Sequence, residues 1–356
     1  MSTGWTTATR GAAAVLAVAG GLAMAGCGAG PADLMQPTAQ HATNSGSAGA
    51  SPSATPSTAH STPMAPLTGL PAASPRAAGR PAIAVPVSGD QLQGLSGADV
   101  VFEEMTSPLR YVAVFQSRDG SSVGPVTGTR PTDAQALSVL HPLDAYNGGT
   151  PSFIRVLDKT QVLDLGYASH PSLYHAGAGG LTVSTSQVRQ SARDIAPPQM
   201  FTYQGTGAGG EASFASTGAW PTSSLKITAP GQVTQTWIFG ARSHRWRLVS
   251  GGPSVQADNI VVQKVPYKIV FLSRKYGLTT TSARVIGSGS ALMLAATGPG
   301  GGSSGTAVKG TWSKPGLHDV TNYFDANSRP IGFQRGTTWV VLVPPGTQIS
   351  TAGGRP

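Results

Sequence analysis

The sequence predicts an α+β fold, in which a mixed α/β N-terminal domain is followed by a mainly antiparallel β C-terminal domain. Short β-branched runs and helix-start signals alternate in the first half of the chain. In the second half, strand-like runs recur at regular spacing with glycine turns between them, which is typical of antiparallel β structure. The 47 glycines and 28 prolines among 356 residues are enough for many turns and a long linker.

Residues 1–26 are predicted to be a lipoprotein signal peptide. Residues 11–25 form an apolar run, shorter than the roughly 20 residues that a membrane-spanning helix needs. The run leads into Gly26 and Cys27, the only cysteine of the chain. We therefore expect Cys27 to carry lipid, palmitate among its acyl chains, and to anchor the protein to the cell membrane. An ordinary secretory signal with an incidental cysteine is the alternative.

Residues 27–65 are predicted to be a disordered tether. Between residues 28 and 65 there is no Lys or Arg and one acid, Asp33, and small residues and proline dominate. Such a segment buries too little apolar surface to offset the entropy lost on ordering. The signal and the tether together predict an extracytoplasmic location in a bacterial envelope, and the composition suggests an actinobacterial source.

The N-terminal domain is predicted over residues 66–230. Three strands are expected, the second and third of them neighbours, and two helices follow. The expected strands are residues 83–87, 98–103 and 111–115, the expected helices are residues 133–140 and 184–195, and a loose junction is expected over residues 204–235.

The C-terminal domain is predicted over residues 231–349 as a basic, β-rich unit. Residues 231–356 contain thirteen Lys or Arg and three Asp or Glu, whereas residues 66–230 contain ten and eleven. The positive field would attract phospholipid head groups, anionic wall polymers or sugar phosphates, unless it serves solubility alone. The expected strands are residues 233–239, 245–249, 260–264, 268–272, 284–286, 291–295, 306–313, 331–335 and 338–343, with a turn at 287–290.

Arg245, Trp246 and Arg247 look at first like a nucleic-acid patch. On a strand, however, alternation places both arginines on one face and the tryptophan on the other, which indicates a half-buried strand with a basic outer face. Because an exported protein does not normally meet nucleic acid, no nucleic-acid partner is expected.

Several short stretches occur in a specific order along the chain. They are PLTG at residues 66–69, RPAIAV at 80–85, GLSGADVVFE at 94–103, AVFQS at 113–117, VGPV at 123–126, DNIVVQ at 258–263, KGTW at 309–312 and GTTW at 336–339. In these stretches the chain resembles the YerB-like lipoprotein family, bacterial envelope proteins with a domain of unknown function. The resemblance implies an α/β part followed by a β-rich part, and it implies no established reaction.

Glu103, Arg110, Arg130 and Asp133 form the candidate polar cluster. Glu103 and Arg110 lie on strands expected to be neighbours, and Arg130 precedes the proline at the predicted helix start. An arginine beside the free N–H groups of a helix start suits a phosphate or carboxylate ligand. A structural ion pair that closes the sheet edge is the other interpretation.

Two further groups of residues are weaker candidates for a site. Asn147 lies in a turn with two glycines, which would let a ligand approach the backbone, although such glycines more often form plain turns. His141, His170 and His175, with Asp144 and Asp164, are the candidates for a metal or an acid–base pair. No HExxH motif is present, so neither a metal nor a cofactor is expected.

The sequence supports two functional hypotheses. The first is an envelope lipoprotein that binds a wall component, an anionic surface or a protein partner without catalysis. The second is a hydrolase or transferase that acts on an anionic cell-wall glycopolymer, with a carboxylate of the cluster as general base and its arginines on the phosphate. Convergence of the four cluster side chains in a cleft would favour the enzyme, and their burial in pairs would disfavour it.

Overall fold

The computed structural model describes residues 62–191, 195–205, 214, 218–232, 234–296 and 304–353. The predicted signal peptide, Cys27 and nearly all of the predicted tether lie outside these residues. The described helices are α1 (Pro75–Ala78), α2 (Pro131–Leu137), α3 (Pro151–Leu157) and α4 (Thr185–Gln190), with 3-10 turns at Leu95–Gly97, Ser138–Leu140 and Pro171–Leu173. Within the described part of the chain, no helix is both long and apolar enough to span a membrane.

Twenty strands carry most of the fold in the part of the chain that the structure describes. The first ten are β1 (Ile83–Ser88), β2 (Val100–Glu104), β3 (Arg110–Phe115), β4 (Leu143–Asp144), β5 (Leu163–Asp164), β6 (Tyr174–Gly177), β7 (Gly180–Val183), β8 (Trp220–Thr222), β9 (Ser224–Thr228) and β10 (Gln235–Gly240). The other ten are β11 (Arg245–Ser250), β12 (Gln256–Ala257), β13 (Asn259–Lys264), β14 (Tyr267–Ser273), β15 (Leu278–Ala283), β16 (Gly287–Ala295), β17 (Gly305–Lys314), β18 (Asn322–Asp325), β19 (Thr338–Val343) and β20 (Gln348–Ala352).

An eleven-stranded sheet joins strands from both halves of the chain. Its order is β18-β17-β16-β13-β19-β2-β3-β1-β4-β5, and β8 pairs with β17. The C-terminal strand β19 lies parallel to both β13 and β2, with Val340 opposite Val261 on one side and Phe102 on the other. Strand pairs of the large sheet are both parallel and antiparallel in the N-terminal half of the chain and mainly antiparallel in the C-terminal half. The predicted α+β class is confirmed. The division near residue 230 stays a prediction about the sequence, since the sheet runs continuously across it.

The two faces of this sheet are covered by different layers. Side chains alternate along each strand, so Val101 and Ile260 face one layer while Val100 and Val261 face the other. The first face packs against a smaller five-stranded sheet with the order β12-β11-β10-β9-β20. The second face packs against α2 and the segments around Phe201. Both faces are therefore buried, which explains the nearly continuous apolar runs in β1, β2, β13 and β19.

The smaller sheet is half-buried, as the alternation predicts. Trp246 and Leu248 face the core, while Arg247 is exposed and Arg245 is partly exposed. Since a buried tryptophan removes about 150–250 Å² from water, each such residue stabilises the fold by roughly 4–6 kcal/mol in transfer terms. The basic face of this strand is thus the outer side of a packed sheet, as expected.

Four local predictions were wrong. Residues 284–286, expected to be a strand, form the connection between the end of β15 and the start of β16. Residues 287–290 are the start of β16 and pair with β17, where a turn was expected. Residues 331–335 are not a strand, because Phe333 is turned into an aromatic cluster with Phe201 and Tyr323. Strands β8 and β9 lie within the expected loose junction, where Trp220 and Leu225 supply the apolar contacts.

Candidate functional site

Arg110 is the centre of a buried ion cluster on the α2 side of the large sheet. Its register partner on β2 is Glu104, and partners directly opposite each other share a face. Arg110 Nη1 and Nη2 donate to Asp133 Oδ1 and Oδ2 at 2.8 and 2.5 Å, and Nη1 lies 3.4 Å from Glu104 Oε2. Burial alone would lower the pKa of Arg110, but the carboxylates of Asp133 and Glu104 hold it above its ordinary value. The guanidinium is therefore a fixed cation.

Asp133 also caps the helix that carries it. Its Oδ2 accepts from the backbone N–H of Arg130 at 2.8 Å and from Thr129 Oγ1 at 3.2 Å, which satisfies donors at the start of α2. The N–H of the N-cap residue Arg130 is thus engaged by a carboxylate of the same chain. Asp133 is fully buried, so this site has no room for a ligand in the folded chain.

Arg130 closes the cluster at its outer edge. Its Nη1 lies 3.4 Å from each of Glu104 Oε2, Thr106 Oγ1 and the carbonyl oxygen of Thr281. Burial, and next the charge of Arg110, lowers the pKa of Arg130. The Thr281 contact is notable because Glu104 Oε1 also accepts from the backbone N–H of Ala283 at 3.3 Å. The ion cluster thus holds the β14–β15 hairpin against the body of the protein.

Glu103 lies on the opposite face of the sheet from Arg110. Its carboxylate, fully buried between the two sheets, accepts from Trp339 Nε1 at 2.7 Å and from the side-chain amide of Gln235. Burial raises the pKa of Glu103 to about 7, although the hydrogen bonds from Trp339, Gln235 and Tyr111 oppose the shift. Glu103 therefore titrates near neutral pH in a closed site.

The four predicted cluster residues do not converge. The structure brings Arg110, Arg130 and Asp133 together, adds Glu104, and separates Glu103 from them by the thickness of the sheet. The three that meet are buried or nearly so in ion pairs, with Arg130 the most exposed at 14% of its side chain. Because these side chains are paired with one another and do not converge in a cleft, the arrangement disfavours the catalytic hypothesis and favours the structural interpretation.

The turn at Asn147 has a packing explanation. Gly148 and Gly149 adopt positive φ angles of 88° and 141°, which glycine tolerates best. A side chain added at Gly128 would lie 3.0 Å from the carbonyl group of Gly148, so the two backbones need glycine to pass closely. No ligand is required to account for the turn, and whether Asn147 contacts one stays a prediction.

The histidine and aspartate candidates are dispersed. His175 pairs with Gln187 and His170 with Ser169, while Asp164 accepts from the Tyr146 hydroxyl at 2.8 Å. Over the residues that the structure describes, no group of three His, Cys, Asp or Glu side chains is placed to hold a metal ion. Both carboxyl oxygens of Asp144 are buried without a hydrogen-bond partner among the described residues, and burial raises the pKa of this carboxyl well above its ordinary value.

A cleft with two lysines at its rim is the feature that sequence reasoning missed. It has a volume of about 550 Å³ and lies between the edge strand β20 and the part of the large sheet formed by β13, β16 and β17. Val262 and Leu292 form the floor, and Ile349 lines the wall. Lys264 and Lys309 are exposed at the cleft. The spacing along each strand does hold a signal, since Lys264 shares the face of Val262 and Lys309 that of Ala307.

The charged side chains that line the cleft are all positive. Its described lining contains no Asp or Glu, and neither lysine ammonium forms an ion pair among the described residues. Lys309 Nζ lies 5.8 Å from the ring centroid of Trp220, whose Nε1 donates to Thr351 Oγ1 at 3.3 Å across the cleft. An apolar floor with two uncompensated cations suits an anion that has an apolar or sugar portion.

A second cavity is also lined by cations, but most of these are paired with carboxylates. It has a volume of about 600 Å³ and is lined by Arg80, Arg118 and Arg245. Arg80 lies 3.2 Å from Asp119, and Arg245 lies 3.1 Å from Asp258, so two of its three cations are already neutralised. The cleft at Lys264 and Lys309 is therefore the stronger candidate for anion binding.

Two segments of the chain match the two domains of one known protein family. Residues 67–202 match the N-terminal domain of the Protein of unknown function DUF3048, and residues 232–340 match its C-terminal domain. The chain belongs to the DUF3048 family. Both candidate features lie in matched segments of this DUF3048 protein, the ion cluster mainly in the first and the two cleft lysines in the second. No relative is found among curated proteins.

One solved structure is similar to this DUF3048 fold. It is the crystal structure of the YerB protein from Bacillus subtilis, which is 18% identical to this chain with a TM-score of 0.63. The similarity covers 81% of this chain and 99% of the YerB chain. At this identity the likeness shows a shared fold, and it confirms the YerB-like architecture inferred from the short stretches.

Proposed function

We propose that this DUF3048 protein is an extracytoplasmic lipoprotein of a bacterial envelope, anchored by lipid on Cys27, that binds an anionic component of the cell wall without catalysis. The cleft between β20 and the large sheet is the observation that supports binding. Lys264 and Lys309 supply two ammonium groups at its rim, and the apolar floor would contact the uncharged part of the ligand.

Binding is better supported than hydrolysis or group transfer. Hydrolysis of a glycopolymer needs a general acid or base within hydrogen-bond reach of the bond that breaks. The described lining of the cleft contains no Asp, Glu or His. The carboxylates considered for that role, Glu103 and Asp133, are fully buried elsewhere. The described lining therefore offers recognition of a negative charge, and it provides neither a carboxylate nor an imidazole for proton transfer.

The proposal is tested by reversing the two cleft charges. The variant Lys264→Glu with Lys309→Glu is expected to lower retention of the full chain on purified cell-wall fragments by about tenfold or more, because each charge-assisted contact contributes about 1.5–3 kcal/mol. Retention is measured by co-sedimentation at low salt, with wall fragments before and after chemical removal of their anionic polymers.

The matched control reverses two other exposed positive charges, which lie away from the cleft. Arg242 lies in the turn before β11 and Arg247 lies on β11, in the smaller sheet. The variant Arg242→Glu with Arg247→Glu changes the net charge by the same amount as the cleft variant. We expect this control to retain most of the binding. An equal loss in both double variants would show that net charge alone attracts the protein, and no binding by the unaltered chain would refute the proposal.

A further inference from the structure

The β14–β15 hairpin is a two-stranded sheet separate from the other sheets of the protein. Its base is firmly held. The Tyr267 hydroxyl donates to the carbonyl oxygen of Leu342 at 2.7 Å and accepts from the N–H of Met105 at 3.0 Å. On the other strand, Thr132 Oγ1 donates to the carbonyl oxygen of Ala283 at 2.9 Å. Together with the Glu104 and Arg130 contacts, these bonds fix the direction in which the hairpin projects.

The distal part of the hairpin is exposed and apolar. Five of the twelve exposed large apolar side chains among the described residues fall within residues 269–278. They are Ile269 at 73% exposure, Phe271 at 43%, Leu272 at 42%, Tyr276 at 70% and Leu278 at 56%. Such a concentration at the end of one element is unusual for a surface that faces only water, because contiguous exposed apolar patches are typical of interaction sites.

The same segment is positively charged. Lys268, Arg274, Lys275 and Arg284 lie in or beside the hairpin, and no Asp or Glu occurs between Asp258 and Asp319. The cations are interleaved with the aromatic rings. The Arg274 guanidinium lies 4.8 Å from the ring centroid of Phe271, and Lys275 Nζ lies 5.1 Å from that of Tyr276.

We infer that the tip of this hairpin, residues 269–278, docks on an anionic lipid bilayer. Apolar side chains enter the head-group boundary, the Tyr276 ring lies at the interface as an amphipathic group, and Arg274 and Lys275 contact lipid phosphates. The inference shares the envelope location with the proposed function, but it does not depend on the cleft.

A bilayer fits the tip better than a protein surface does. A stable protein interface takes about 800 Å² and 20–30 residues from each partner. The exposed part of the hairpin has ten residues, held at the end of a projecting element. A bilayer interface needs only a few inserted side chains together with basic residues that meet its phosphates. The absence of acids in the segment matches a surface of anionic head groups.

Hydrogen exchange on vesicles tests the inference. The full chain carrying Cys27→Ser, which has no thiol to acylate, is mixed with vesicles of phosphatidylcholine alone or of equal parts phosphatidylcholine and phosphatidylglycerol. We expect amides of residues 267–283 to become protected on the anionic vesicles and to lose that protection as salt rises. Reading these amides separates the hairpin from the apolar residues 11–25, which have their own affinity for lipid.

Two double variants and one control complete the experiment. Arg274→Gln with Lys275→Gln is expected to raise the lipid concentration for half-maximal hairpin protection about thirtyfold, and Ile269→Ser with Tyr276→Ser to raise it about tenfold or more. Ile238→Ser with Val249→Ser removes two exposed apolar groups of the smaller sheet, at 41% and 40% exposure, and is expected to leave this lipid concentration unchanged.

Three outcomes would overturn the inference. They are no hairpin protection on anionic vesicles, the same shift in the control variant, and protection that grows with protein concentration in the absence of lipid, which would assign the tip to a second copy of the chain. The cleft and the hairpin can fail independently, because Lys264→Glu with Lys309→Glu is expected to keep vesicle protection and the hairpin variants to keep wall binding.

Discussion

Replacing Arg110 with methionine is expected to lower the free energy of unfolding by about 3–5 kcal/mol, since removal of one partner leaves buried carboxylates without their counter-charge. The Arg110 side chain is 1% exposed and forms ion pairs with both Asp133 and Glu104. Methionine fills a similar volume, so the loss reports on charge more than on packing. The measurement is urea unfolding of the full chain, with the midpoint and the slope compared with those of the unaltered protein.

Arg80→Met is the matched control for this prediction. Arg80 also pairs with an aspartate, Asp119, but both side chains are 25–30% exposed and Arg189 remains as a second partner. An exposed pair of this kind contributes about 0–1 kcal/mol, so the control should lose little. Adding Asp133→Asn to Arg110→Met should restore part of the stability. Equal losses at Arg80 and Arg110 would contradict the view that the cluster is a buried structural network.

Loss of Arg110 is also expected to weaken the contacts that hold the β14–β15 hairpin against the large sheet. The carboxylate of Glu104 accepts from the N–H of Ala283, and Arg130 contacts the carbonyl oxygen of Thr281. When the cluster loses its central cation, these contacts lose the group that orients them. The ion cluster thus has a role that its sequence pattern could not reveal, because Arg130 and its hairpin contact Thr281 are 151 residues apart along the chain.

The sequence correctly predicted that β2 and β3 are neighbouring strands, but it did not predict the register in which they pair. Two neighbouring acids, Glu103 and Glu104, point to opposite faces of the sheet, and only the pairing decides which one meets Arg110. The observed register pairs Arg110 with Glu104. A shift of the register by one residue would place Glu103 opposite Arg110, as expected. The predicted cluster therefore differs from the observed one by a single position on β2.

Long-range pairing explains the remaining gaps. Periodicity predicts that β13 and β19 are strands, but it does not contain the information that β19 inserts beside β2. The partners of Glu103, namely Gln235 and Trp339, lie 132 and 236 residues away for the same reason. The cleft was missed because Lys264 and Lys309 become neighbours only after β16 pairs with both of their strands.

Glu103→Gln is expected to remove a large pH dependence of stability. The folded-state pKa of Glu103, raised by burial to about 7, exceeds the ordinary value of 4.5. Between these two values the folded state binds more protons than the unfolded state, so stability falls as pH rises. The stabilising contribution of the protonated carboxyl is complete below about pH 4.5 and is lost once the pH has passed 7. From pH 5 to pH 8 this loss amounts to about 2–3 kcal/mol.

The quantity to measure is the difference between two pH profiles of unfolding free energy, obtained by urea titration between pH 5 and pH 8. The raised pKa values of Asp99 and Asp144 shape both profiles equally, so subtraction isolates Glu103. Absolute stability at one pH is less informative, since the amide keeps only one of the two oxygens that accept from Trp339 and Gln235. Asp90→Asn, at an exposed carboxylate, should leave the profile parallel to that of the unaltered chain. If Glu103→Gln also ran parallel, Glu103 would be ionised throughout this range, and its burial between the two sheets would have to be compensated by the three donors around it.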